Sequence, residues 1–272
     1  MKKLLYVLTG LCLLASCKKE EKSFVPKEPK LQEDYTETTF GINMEMVYVK
    51  GGEFIMGMTP EQEWDYPDSI IKKYIRKTKL DSYHIGKYEV TQAQWKAVME
   101  SDAEPTYSSG KGDDYPVYYV SWNEAQEFCK KLSEQTGKKY VLPTEAMWEY
   151  AARGGVHETK TQFAGSNDIA EVAWYNGNSN HTAHPVGKKK ANALGIYDMS
   201  GNVWEWCSDW WTFGYDKADD YNPQSSIDTK TRVHRGGCWF DDTVNCRVSD
   251  RRGYTSSSRS FELGFRVACS SK

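Results

Sequence analysis

Beyond Gly155 the chain offers no convincing helical period through to its end. Gly, Asn, Ser and aromatic residues recur there in short strand-like pieces, without an internal repeat or a domain boundary. Long amphipathic elements therefore cannot hold this half together. Ten tryptophans and eighteen tyrosines can: each aromatic ring buries a large area, so a core of rings supports a loop-rich fold. The alternative use of so many aromatics is an exposed surface for carbohydrate or peptide.

The first half carries stronger local signals. Met46 to Gly52 alternates and ends in Gly-Gly, and Phe54 to Gly57 follows, which together read as a β-hairpin. Tyr83 to Val90 is a further strand. Thr91-x-x-Gln94 and Ser121-x-x-Glu124 have the form of capping boxes. They predict helices over 91–99 and from Ser121 to a left-handed stop at Gly137, with Trp122, Ala125, Phe128, Cys129 and Leu132 at helical spacing. Thr144 caps a third helix that ends at Gly154-Gly155, and 101–116 reads as a loop.

The N-terminus reads as an export signal over residues 1–16. Lys2 and Lys3 precede a short apolar run, Leu4 to Leu14, too short to span a bilayer. Leu14-Ala15-Ser16-Cys17 resembles a bacterial lipobox, which implies lipidation of Cys17 and a membrane anchor without a spanning helix. Residues 17–38 are charged and poor in large apolar groups, and read as a flexible tether. Within it, Lys19-Glu20-Glu21 resembles a surface-export signal of Bacteroidetes lipoproteins. Residues 39–272 remain for one domain. A formal net charge of -3 gives no reason to expect nucleic-acid binding.

Several motifs then follow in order: Gly51-Gly52-x-Phe54-x-Met56-Gly57, Tyr88-Glu89-Val90-Thr91, Pro116-Val117, Val120-Ser121-Trp122, and Leu142-Pro143-Thr144-Glu145 running to Gly154-Gly155. Next come Pro185-Val186-Gly187, Asn192 to Trp206 through Gly201-Asn202-Val203-Trp204-Glu205, and Arg235-Gly236-Gly237-Cys238-Trp239 with Cys246-Arg247 and Gly264-Phe265-Arg266. The ordered set, over roughly residues 44 to 268, resembles the formylglycine-generating enzyme (sulfatase-modifying factor) family. The resemblance implies a modified C-type-lectin-like fold: an irregular α+β domain, low in regular structure. Most aromatics fall inside these motifs, which favours their role as core.

The resemblance also implies a site. Family oxidases hold copper(I) between two thiolates and convert a substrate cysteine to formylglycine. The two positions here are Asp241 and Cys246, while Cys238 stands where the family has serine. Copper(I) prefers soft sulfur and Asp241 is a hard oxygen donor. Cys246 and Cys238 are the candidate catalytic residues if chemistry survives. Iron held by histidines, as in related sulfoxide synthases, lacks a His-bearing helical domain; His181 and His184 lie in a loop. Asn202, Val203 and Glu205 resemble a family calcium loop, calcium being a hard cation suited to oxygen ligands. In the alternative, Asn202 shapes a turn and Glu205 pairs with a buried arginine. Relatives suggest two disulfides, Cys129–Cys269 and Cys207–Cys246, leaving Cys238 as an odd thiol. Arg153 and Arg266 are expected to be structural. The functional expectation is a lipid-anchored envelope protein, at the outer membrane and surface-exposed, that binds a protein or glycan partner. The competing expectation is a copper oxidase acting on sulfatase peptides.

Overall fold

Thr91 and Ser121 each open a helix with the predicted capping box. In the computed structural model, which describes residues 32–62, 65, 67, 74–103, 109–215 and 220–270, these are α1 (Gln92–Met99) and α2 (Trp122–Thr136). The threonine and serine hydroxyls accept N–H groups that a helix start would leave unpaired, and Gln94 and Glu124 return the favour to the cap backbone. Gly137 ends α2 in left-handed geometry, as predicted. The α2 face buries Ala125, Phe128, Cys129 and Leu132. Burying each large apolar side chain contributes about 1.5–3 kcal/mol. Thr144 caps α3 (Glu145–Ala152), which is buried nearly all round because it crosses the middle of the molecule. A single turn, α4 (Ile169–Val172), capped by Asp168, lies in the half where no helix was expected.

Eleven strands fall into three sheets among the described residues. A five-stranded sheet has the order β1-β2-β5-β11-β6, from Tyr35–Thr39, Ile42–Val49, Tyr83–Gly86, Ala268–Ser270 and Tyr140–Val141. A four-stranded sheet has the order β10-β7-β8-β9, from Leu263–Gly264, Trp204–Trp210, Thr231–Arg235 and Arg251–Thr255. β3 (Gly52–Gly57) and β4 (Ile75–Leu80) form a separate pair.

Two expectations change. β2 and β3 do not pair as a hairpin: β2 lies between β1 and β5, and β3 pairs with β4. Gly51 and Gly52 are where the chain leaves one sheet for another, and both are closely packed. A Cβ on Gly51 would lie 2.4 Å from the Leu80 carbonyl, and one on Gly52 2.4 Å from the Tyr150 hydroxyl. The domain also begins earlier than residue 39. β1 starts at Tyr35, and Glu37 is buried because the Tyr140 hydroxyl and Lys138 ammonium both donate to it, at 2.6 and 2.5 Å. Cys17, the 1–16 signal and the Lys19-Glu20-Glu21 stretch lie outside the described residues. No described helix is long and apolar enough to cross a membrane.

Candidate functional site

The C-terminal sheet carries the site. Gly236 and Gly237 follow β8 with φ of 100° and 74°, a region that disfavours side chains. The bend is tight as well: a Cβ on Gly237 would sit 2.7 Å from the Cys246 sulfur. It directs residues 238–246 over the sheet and ends in a short 3-10 turn, Thr243–Cys246.

Asp241 occupies the position of the missing thiol and is built into this turn. One oxygen accepts the Cys238 N–H at 3.0 Å, the other the Asn245 amide at 2.9 Å. The Cys238 thiol contacts the Glu262 carboxylate at 3.5 Å. Cys238 and Cys246 are both fully buried, but in different packing clusters. Cys238 belongs with Trp204, Leu263 and Phe265, and Cys246 with Phe163, Ile169, Val172 and Ala173. Burial, reinforced by Asp241, pushes both thiols well above the usual range. Asp241 is a hard oxygen donor where copper(I) needs a second soft thiolate, and its two oxygens are already engaged by Cys238 and Asn245. The donor set therefore does not fit copper.

No disulfide is formed by Cys129, Cys207, Cys238, Cys246 or Cys269. Cys207 packs with Ala146, Val233 and Val248 in a cluster separate from Cys246, so the Cys207–Cys246 pairing is not what the structure holds. Cys129 and Cys269 share one cluster without a bond, and Cys269 interacts with the Tyr35 hydroxyl.

Asn202 and Glu205 do lie together, but not as the expected calcium loop. Asn202 takes a left-handed φ of 65°, and its side-chain oxygen accepts the His184 N–H at 2.9 Å. Its amide donates to Glu89 at 2.9 Å. Glu205 is held by Arg266 through two contacts, 2.7 and 2.6 Å, and by the Trp148 indole at 2.7 Å. The alternative reading of both side chains thus describes the geometry. Val203 donates its N–H to Glu89 at 3.1 Å. Among the described residues no three His, Cys, Asp or Glu side chains form a metal cage.

A charge imbalance remains in this cluster. Glu89, Asp198 and Glu205 are buried around one guanidinium, that of Arg266. Burial, then Asp198 and Glu205, pushes the Glu89 carboxyl well up. Burial holds Asp198 at about 6. The Gly187 N–H donates to one Asp198 oxygen at 2.7 Å, and the other is buried without a partner. One buried oxygen thus offers what Asn202 and Glu205 do not, a donor with nothing bound to it.

In front of Asp241 lies an open cleft of about 400 Å³. Trp204, His234 and Tyr254 supply rings, and Asp241, Glu262, Asn245 and Arg252 supply polar groups. Neither catalytic cysteine candidate lines it. Burial and the neighbouring Arg252 hold the His234 imidazole at about 3, so it is neutral, and its buried Nδ1 has no partner. The sequence reading missed Glu262, His234 and Tyr254. For Glu262 and His234 the available signal was their flanking of the Gly264-Phe265-Arg266 and Arg235-Gly236-Gly237 motifs.

The described architecture and the order of motifs can now be set beside known proteins. Residues 32–271 match the sulfatase-modifying factor enzyme 1-like domain. The chain belongs to this family. Chaperone protein LppX of Paenibacillus barcinonensis is 31% identical over 277 residues, covering 83% of this chain and 89% of that protein. Formylglycine-generating enzyme of Mus musculus is 33% identical over 194 residues, covering 66% of this chain and 50% of the enzyme; this chain spans about half of the enzyme's length. Among solved structures, Treponema denticola variable protein 1 has a TM-score of 0.73 at 31% identity, covering 87% of this chain and 98% of that one. PvdO from Pseudomonas aeruginosa has a TM-score of 0.72 at 27% identity, covering 83% and 94%. Few helices and curled sheets are common to these folds, as the α+β, modified C-type-lectin-like expectation requires.

Proposed function

We propose that this family member is a binding protein rather than an oxidase, held at the cell envelope by lipid on Cys17 and receiving a protein or glycan partner in the cleft beside Asp241. The observation that carries the reading is the seating of Asp241. Its carboxylate holds the turn through Cys238 and Asn245 at the position where an oxidase needs a thiol. Cys238 and Cys246 argue the same way: they are buried in separate packing clusters and neither lines the cleft. The similarity to a protein named as a chaperone favours a role in contact with other proteins. The lipobox supports an outer-membrane, surface-facing location.

Calcium belongs to this proposal in a structural role, with the unpartnered Asp198 oxygen beside Glu205 as its side-chain donor. It would offset the excess charge of Glu89, Asp198 and Glu205.

The test is an oxidase assay on the full chain, supplied with copper(I), oxygen and a sulfatase-derived cysteine peptide, with formylglycine read by mass spectrometry. No conversion is expected from the natural protein. Conversion that disappears in both Cys238→Ala and Cys246→Ala would overturn the reading in favour of a copper oxidase.

A further inference from the structure

The cleft beside Asp241 differs from a general polar groove in what it has left to offer a ligand. Its donors are largely consumed within its own walls. Arg252 donates to Asn245 at 2.9 Å and to Asp250 at 3.3 Å, and the Asn245 amide donates to Asp241 at 2.9 Å. Its acceptors are not. Each ionised carboxylate has about four lone-pair sites. The Asp241 oxygens accept from the Cys238 N–H and the Asn245 amide, and the Glu262 oxygens from Ser260 at 3.2 Å and the Cys238 thiol at 3.5 Å. A neutral sugar needs donors and acceptors in alternation. This cleft presents acceptors and net negative charge, which suits a group made only of donors, an ammonium or guanidinium.

The rings make the same choice. Trp204 and Tyr254 flank the carboxylates, and a cation over an aromatic face gains from the ring's quadrupole. Tyr254, in the cleft wall, is 44% exposed, and Phe240 and Val244, which do not line it, are 58% and 44% exposed. Phe240 and Val244 lie on the turn that carries Asp241, and Tyr254 on β9. Exposed apolar side chains on the turn that carries the charge match a cationic side chain with apolar neighbours, which a polypeptide supplies and a free amine does not.

We infer that the cleft takes a lysine or arginine side chain of a polypeptide, its charge between Asp241 and Glu262 and its flanking apolar residues on Phe240, Val244 and Tyr254. The inference rests on the binding reading above and names the class of partner within it.

The experiment uses the full chain in mild detergent and three probes: a fluorescent peptide Ala-Leu-Lys-Leu-Ala, the same peptide with norleucine for lysine, and chitotetraose. Anisotropy and displacement report binding. The lysine peptide is expected to bind about tenfold more tightly than the norleucine peptide, with affinity falling as salt rises. Glu262→Gln and Asp241→Asn should each weaken the lysine peptide by about five- to tenfold and leave the norleucine peptide unchanged. Asparagine at 241 keeps an oxygen for the Cys238 N–H but not for the Asn245 amide, so a matched melting curve checks the turn, and Glu262→Gln, which leaves both turn bonds in place, carries the test if the turn is lost. Equal binding of both peptides, weakened by Phe240→Ser, would overturn the cation inference and keep a protein-binding cleft. Binding of chitotetraose in preference to either peptide would overturn it and keep a glycan-binding cleft. If no probe binds, the inference and the reading of the cleft as a binding site both fall.

Discussion

Two buried charge clusters meet at Trp148, and they are built on different arithmetic. In one, Glu61, Glu145 and Glu149 face Arg153, Arg235 and Arg251. Arg235 bridges Glu145 at 2.8 Å and Glu149 at 2.6 Å, Arg251 holds Glu145 at 2.6 Å, and Arg153 joins Glu149 and Glu61, each at 2.8 Å. Every guanidinium here meets a carboxylate directly, and Glu158 adds a further contact to Arg153 at 3.5 Å. In the other, Glu89, Asp198 and Glu205 are buried around the single guanidinium of Arg266, with the partly exposed Lys189 a weaker attraction on Asp198, and the carboxyls that Arg266 does not hold are pushed up. Trp148 touches both, donating to Glu205 at 2.7 Å while its ring lies 5.8 Å from the Arg235 guanidinium. A cluster in which every carboxylate has a guanidinium is complete as it stands and fixes the framework of α3, β8 and β9. One with carboxyls left over must be settled by protons or by a cation.

The sharpest way to break this contrast is to take a guanidinium out of the first cluster. Arg235→Met leaves Glu145 and Glu149 buried with a lost partner, and removing one member of such a pair costs about 3–5 kcal/mol. Urea unfolding should show that loss, and a midpoint unchanged from the natural protein would mean that the cluster does not support the fold. The next largest effect belongs to the second cluster. With calcium at about a hundred times its dissociation constant, stability should rise by about 2.7 kcal/mol over the chelated protein. Asp198→Asn should abolish most of that response. Superimposable melts with calcium and with chelator would remove the ion from the proposal.

The smallest effect is the pH dependence of the chelated protein. Asp198, held at about 6, keeps its proton in the folded state after the unfolded chain has released it. Stability is therefore greatest below the ordinary aspartate range, falls as pH rises towards about 6, and is flat in this component above that. The expected loss is about 1–3 kcal/mol. Asp198→Asn should reduce the loss over this interval, the remainder coming from Asp209, which burial and Glu145 hold at about 7, and Asp250, which burial holds at about 6.

What the sequence disclosed follows the range of each interaction. The caps at Thr91, Ser121 and Thr144 were legible because each bond closes within three residues. Gly51-Gly52 was misread as a hairpin turn because the deciding neighbours, Leu80 and Tyr150, lie far along the chain. The same distance hid the site. Asn202 and Glu205 were identified, yet their partners Glu89 and Arg266 come from opposite ends of the domain. Nothing local reveals that Glu205 is already committed or that Asp198 is not. The cleft was hidden for a related reason: its walls come from β7, β9, the turn after β8 and the approach to β10, which only the sheet order brings together.

Gly236 and Gly237 take the chain off β8 just after Arg235, and β9 begins again at Arg251. Both anchor arginines thus stand at the edges of the excursion that carries Asp241, Phe240 and Val244, and their side chains point into the ion-paired interior. The segment between them behaves as a cartridge clipped into a fixed frame. Its outward residues are free to be rewritten, one recognition surface for another, without the frame having to learn a new way to fold.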